Sequence, residues 1–183
     1  RPRLNFPGVV LLSWTDALRA DRKSGEDGMS EITLKQAERI IDAILARGRE
    51  LDCRPLSIAV TDPGAHVKAF KKEDSSAMMR FEMAMGKAYA ALALGRSSSL
   101  VRIRTEERPL FMNYLINASG GKLFPEGGGM LIRDASGKVI GAVGVTGDTE
   151  IRDEELAAHG IRAAGLKTDE DCAHLGKHVR LKN

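Results

Sequence analysis

One stretch constrains this chain more than any other: Met78–Arg96, MMRFEMAMGKAYAALALGR, proline-free and apolar almost all the way round, with one lysine near its middle. At about 3.6 residues per turn, Met78, Phe81, Met85, Ala88, Tyr89 and Leu92 share a helix face. Met83, Lys87, Ala90, Ala91 and Leu94 lie roughly opposite, with Arg80 two turns before Lys87 on that same side. A helix apolar on both sides is covered on both sides, so the chain must supply layers above and below it. Lys87 then sits in a partly closed space, where an ammonium group needs an anionic partner or must give up its proton. An acidic ligand in a small cavity would meet that need. The alternative is a lysine stem running past the alanines to solvent.

The surrounding pattern supplies the layers. Thr33 and Gln36 form a capping box for a helix over 34–50, with Leu34, Ala37, Ile41, Ile44, Leu45 and Gly48 as its apolar stripe. LSIAV (Leu56–Val60) and HVKAF (His66–Phe70) flank Asp62-Pro63-Gly64, the signature of a hairpin. The Met-rich helix runs from about Ser75 to Gly95, followed by short helices at 100–107 and, opened by Pro109, 109–117. The glycine-rich segment 119–129 reads as a loop. GMLIRD and KVIGAVGV around Ala135-Ser136-Gly137 then read as a second hairpin. Asp148-Thr149 caps a helix to about Ala164, and a last short helix spans 169–176. Two hairpins alternating with helices predict an α+β domain with an antiparallel sheet.

With 183 residues the chain is one domain, expected over 29–183. Residues 1–28 read as an N-terminal extension or leader: their apolar run is too short for a signal peptide and lacks a small-residue cleavage site. No apolar run approaches the about 18 residues of a membrane span. The net charge of +3 comes from interspersed charges without a basic, aromatic-interleaved run, so neither nucleic acid nor membrane is an expected partner. Cys53 and Cys172 have no metal-finger spacing and read as free thiols of a reducing compartment, which points to the cytoplasm. Among His66, His159, His174 and His178 there is no zinc motif, and no structural metal is expected.

Several residues are candidates for chemistry. Gly127, Gly128 and Gly129, just before a strand, can form a ligand rim whose amides cup an anion, or simply a turn. Gly141, Gly144 and Gly147 lack the dinucleotide order and signal close approach by a backbone, a helix or a flat ligand. His66, beside the Asp62 turn, is the histidine best placed to face a ligand, although a surface histidine at a hairpin is the plainer reading. Lys87, with Asp62 or Asp148 as partner, could supply acid–base chemistry, while Arg80 and Lys87 could receive a ligand's carboxylates.

LSIAVTDPGAHVKAF, GKAYAALALG, the GGGMLIRD segment and GKVIGAVGVTGDTEIRDEELAAHGIRAAGL occur in an order and spacing that resemble the GlcG/HbpS-like family, which includes the C-terminal part of PduO proteins. The resemblance covers about Ile32 to Leu166. It implies a profilin-like antiparallel sheet flanked by helices, a homo-oligomer, and binding of haem or, in the PduO branch, haem or a corrinoid. Lys87 matches the family lysine, Gly127–Gly129 its glycine block, and Gly141, Gly144 and Gly147 its glycine-spaced strand. Asp153 and Glu154 match its acidic pair. Thr146 replaces a serine, Ala65 a common glycine, and Gly129-Met130 a frequent valine-proline.

The functional expectation is therefore a tetrapyrrole-binding protein, in haem or iron handling or accessory to the use of small organic acids. The alternative is an isomerase, hydratase or lyase acting on a small carboxylate through Lys87. An accessory oligomer with an interfacial lysine is a third reading.

Overall fold

Small residues let one helix lie directly on a four-stranded sheet, and the rest of the fold is arranged around that contact. The computed structural model describes residues 31–175. The sheet is antiparallel in the order β2-β1-β4-β3, from strands β1 (Ser57–Thr61), β2 (Val67–Lys72), β3 (Gly129–Arg133) and β4 (Val139–Thr146). Both predicted hairpins are present. Alternation along the strands divides the sheet into two faces. Ile58, Val60, Met130, Ile132, Val143 and Val145 point into the main core. There they meet α1 (Leu34–Glu50) and α5 (Glu150–Ala163). The opposite face presents Ala59, Ala142 and Gly144, all without bulk, on its two central strands, with the larger Leu131 and Phe70 beside them.

Against that second face lies α2 (Arg80–Leu94), contributing buried Ala84, Ala88 and Ala91. A Cβ on Gly144 would run into the Ala84 carbonyl, so backbone meets backbone there. The other side of α2 is covered by α3 (Ser98–Glu107) and α4 (Pro109–Ala118), through a smaller cluster of Ala90, Val101, Met112 and Leu123. The result is an α+β domain in layers, as expected for a helix covered on both sides. The last element among the described residues is a short 3-10 helix, Glu170–Leu175.

Local chemistry explains the element ends. Thr33 and Gln36 form the capping box, and Thr149 Oγ1 accepts the Arg152 N–H at the start of α5. Pro109 opens α4 at its first turn, and Gly95 closes α2 in the left-handed conformation. The Met-rich helix starts later than its apolar pattern suggests. Ser75 has φ +66°, and Met78 and Met79 are exposed ahead of the first helical residue. In α1, Ile40 joins the core while Leu34, on the apolar stripe of the sequence, is exposed in the first turn. Cys53 and Cys172 are free and buried. Among the described residues no helix is long and apolar enough to cross a membrane, and no group of three or more potential metal ligands occurs. The expected extension 1–28 and His178, hence the His174–His178 pair, lie outside the described residues.

Candidate functional site

Lys87 finds its negative partner within the chain. Its Nζ donates to Asp153 Oδ2 at 2.9 Å and to the Val145 carbonyl at 3.0 Å, and both charged side chains are 2% exposed. The remaining Asp153 oxygen accepts the Asp148 N–H at 3.0 Å. Burial pushes the Asp153 carboxyl up, against the downward pull of Lys87 and of the Asp148 N–H. The glycine block closes over this pair. Gly128 has φ +107°, and a Cβ there would stand 2.5 Å from the Val145 oxygen and 3.2 Å from Lys87 Nζ. The Gly127 and Gly129 N–H groups donate to Glu150 Oε2 at 3.3 Å and Ser98 Oγ at 2.7 Å.

These contacts correct the expected anion pocket. Lys87 needs no external anion, and the amides of Gly127 and Gly129 are engaged rather than free to cup one. Gly128 serves close packing over the ion pair, and Gly144 is filled by α2 rather than by a flat ligand. Arg80 donates through Nη1 to Thr146 Oγ1 at 2.9 Å, across to the end of β4. Lys87 therefore has neither Asp62 nor Asp148 as its acid–base partner.

Asp148 is instead a corner residue. Its carboxylate accepts the Arg54 N–H at 3.0 Å and the Thr149 N–H at 2.8 Å. The Arg54 and then the Thr149 N–H hold this carboxyl below its ordinary range, outweighing burial. A depressed folded-state pKa stabilises the fold above the unfolded value of about 3.9 and loses that contribution as pH falls through the folded value. Asp148→Asn is expected to lower the urea midpoint at neutral pH and to flatten its decline below about pH 4. Urea titrations across pH check this. An acid limb as steep as the parent's would rule it out.

The open site lies elsewhere. A groove of about 450 Å³ runs between the β1–β2 turn, the outer face of α2 and the loop that follows α4. Such a volume falls in the range of about 300–1,000 Å³ typical of small-molecule sites. His66 stands at the turn; Phe81, Met85 and Tyr89 come from successive turns of α2; Lys122 and Phe124 come from the loop. Gly86 lets the loop close in, since a Cβ there would lie 2.6 Å from Phe124 Cβ. Phe81 packs edge-on against Phe70 of β2, with ring centroids 4.9 Å apart.

At the rim, His66 Nδ1 lies 3.1 Å from Asp62 Oδ2. Asp62 Oδ1 accepts the N–H groups of Gly64 at 2.8 Å and His66 at 3.0 Å. Burial alone would raise the Asp62 carboxyl, but bonds from the His66 N–H, the His66 ring and the Gly64 N–H hold it below its usual value. Asp62 is thus ionised near neutrality and acts as an acceptor. Of the two ring nitrogens, Nδ1 is the one that faces this carboxylate.

Sequence periodicity places Phe81, Met85 and Tyr89 on one face, but Phe124 and Lys122 carry no such signal. Their only trace is the apolar Leu123-Phe124 pair inside an otherwise glycine-rich loop. The Asp153 partner of Lys87 is likewise invisible to local spacing.

A protein family described as haem degrading protein HbpS-like matches residues 32–162. The chain belongs to this HbpS-like family. An uncharacterised 15.0 kDa protein from the dhaT-dhaS intergenic region of Citrobacter freundii is 29% identical over 130 residues, covering 70% of this chain and 89% of that protein. The fold of this HbpS-like chain is shared with the crystal structure of a PduOC:heme complex (TM-score 0.67, 20% identity, 75% of this chain and 98% of that one). It is shared too with Klebsiella pneumoniae protein ORFY (TM-score 0.66, 23% identity, 73% and 90%). A double mutant of HbpS from Streptomyces reticuli also has this fold (TM-score 0.63, 18% identity, 88% and 95%).

Proposed function

We propose that this protein binds haem in the groove between the β1–β2 turn and α2, with His66 as the residue that meets the iron. What carries the proposal is one combination: a single imidazole with an available Nε2 at the rim of a groove walled by Phe81, Met85, Tyr89 and Phe124. The fit is chemical. Aromatic and thioether side chains cover a flat apolar face and exclude water from it. Exposed Lys122 offers a cation for a propionate. When bound, haem supplies an iron whose axial position takes an imidazole nitrogen. Membership of a haem-degrading family and the resemblance to the fold of a haem complex support the same ligand. Haem or iron handling is the role that follows.

Lys87, held by Asp153 and Val145, lends no support to a lysine-dependent enzyme for small carboxylates. Self-association belongs to the proposal, supported by Leu110 and Tyr114 on α4, which are 86% and 71% exposed. The two free thiols agree with a cytoplasmic setting.

Titration with hemin is expected to give a shifted, saturable Soret band. His66→Ala should weaken binding by more than the about 10–100-fold typical of losing an outer-shell partner. Lys87 and Arg80 variants that remain folded should titrate like the parent. An unchanged titration for His66→Ala would remove the proposal, and preferential uptake of cobinamide would move it to a corrinoid.

A further inference from the structure

We propose that Asp62 is a positioning residue that fixes the His66 imidazole in the Nδ1–H form, so that Nε2 is the nitrogen offered to a ligand in the groove. The inference rests on the haem-site reading for its purpose, but it concerns this chain's own atoms and can be tested without haem.

A histidine whose side chain is 82% exposed would ordinarily sample several rotamers and both neutral tautomers. Here the turn removes that freedom in stages. The Asp62 carboxylate is itself only 19% exposed, and its Oδ1 is bound by the Gly64 and His66 N–H groups. These two bonds orient Oδ2 toward the ring, where it meets Nδ1 at 3.1 Å. Gly64 supplies the space, since a Cβ there would lie 2.9 Å from both Cε1 and Nδ1 of His66. Ala65 adopts φ +63°, a left-handed conformation that strains a non-glycine residue. The Asp62 bonds and the Asp62 N–H to His66 carbonyl bond at 2.9 Å hold the turn in that shape. The turn is therefore built around the ring.

A carboxylate can only accept, so it selects the tautomer protonated at Nδ1. In metal-binding histidines a carboxylate on the nitrogen that does not ligate fixes the ring and raises the basicity of the one that does. In sequence Asp62 is a candidate partner for a lysine; the structure gives it a histidine.

Asp62→Asn tests this with little threat to folding, because asparagine keeps the side-chain oxygen that the Gly64 and His66 N–H groups need. Its amide nitrogen can instead donate to Nδ1, which reverses the tautomer. The ring nitrogens of His66 are read by nitrogen-15 NMR on the full-length, ligand-free protein, about two pH units above the ordinary imidazole pKa of about 6.5. In the parent, Nδ1 is expected protonated and Nε2 bare; in Asp62→Asn the assignment should exchange. Hemin affinity should then fall about 10–100-fold. An unchanged tautomer in Asp62→Asn, or a reversed one with unchanged hemin affinity, overturns the inference. If the tautomer reverses as expected but the parent takes up no hemin, the hold of Asp62 on the ring stands and the haem reading fails.

Discussion

Lys87→Met is expected to destabilise the protein by about 3–5 kcal/mol, the effect of stripping one member from a buried ion pair. The Asp153 carboxylate would stay enclosed, with only the Asp148 N–H to satisfy it. Such a group takes up a proton to escape its charge, so its folded-state pKa rises further above the unfolded value. The sign follows from linkage. The variant binds the proton more tightly when folded, so it should lose stability as pH climbs from the ordinary carboxylate range through the raised value. The double variant Lys87→Met with Asp153→Leu should recover most of the loss, because two apolar chains replace the pair with neither charge left alone. Urea unfolding of the parent, both single variants and the double variant gives the full cycle. A loss under about 1 kcal/mol for Lys87→Met would mean that the pair is solvated like a surface bridge.

The second large effect is expected at Gly144. A Cβ there meets the Ala84 carbonyl and stands 3.0 Å from the Ala88 nitrogen, both of them helix backbone with no rotamer to yield. Overfilled cores typically lose about 1–3 kcal/mol. Gly144→Ala should lie at the top of that range or beyond, since relief requires lifting α2 from the sheet. Gly95→Ala serves as the contrast: a Cβ there would meet no atom within 4 Å, and only its φ of +65° is strained. It should lose about 1 kcal/mol. Thermal unfolding of the two variants separates them. Equal losses would show that the helix–sheet contact relaxes freely.

Local rules wrote most of the architecture plainly. The capping box at Thr33, the Asp62-Pro63-Gly64 turn, Pro109 and Thr149 all act within a few residues of themselves, and each marks an element where it forms. The α2 apolar pattern likewise foretells a helix covered on two sides. The site is less legible, because it depends on partners far apart in the chain. Lys87 advertises a missing anion, but the companion is 66 residues away, on the first turn of a helix whose acids equally suit its N-terminus. The glycines are ambiguous for a related reason. A residue without a side chain signals close approach without saying by what, and at Gly144 the visitor is a helix. His66 and Asp62 are neighbours in sequence and each stands out at the hairpin, yet their pairing depends on the turn conformation at Gly64 and Ala65.

The locked pair beneath α2 divides the labour along that helix. Lys87 and the alanines anchor it to the sheet, and Phe81, Met85 and Tyr89 look outward into the groove. The side chains that line the groove are consequently separate from those that hold the chain folded. Substitutions in the groove can therefore be made while the foundation stays untouched.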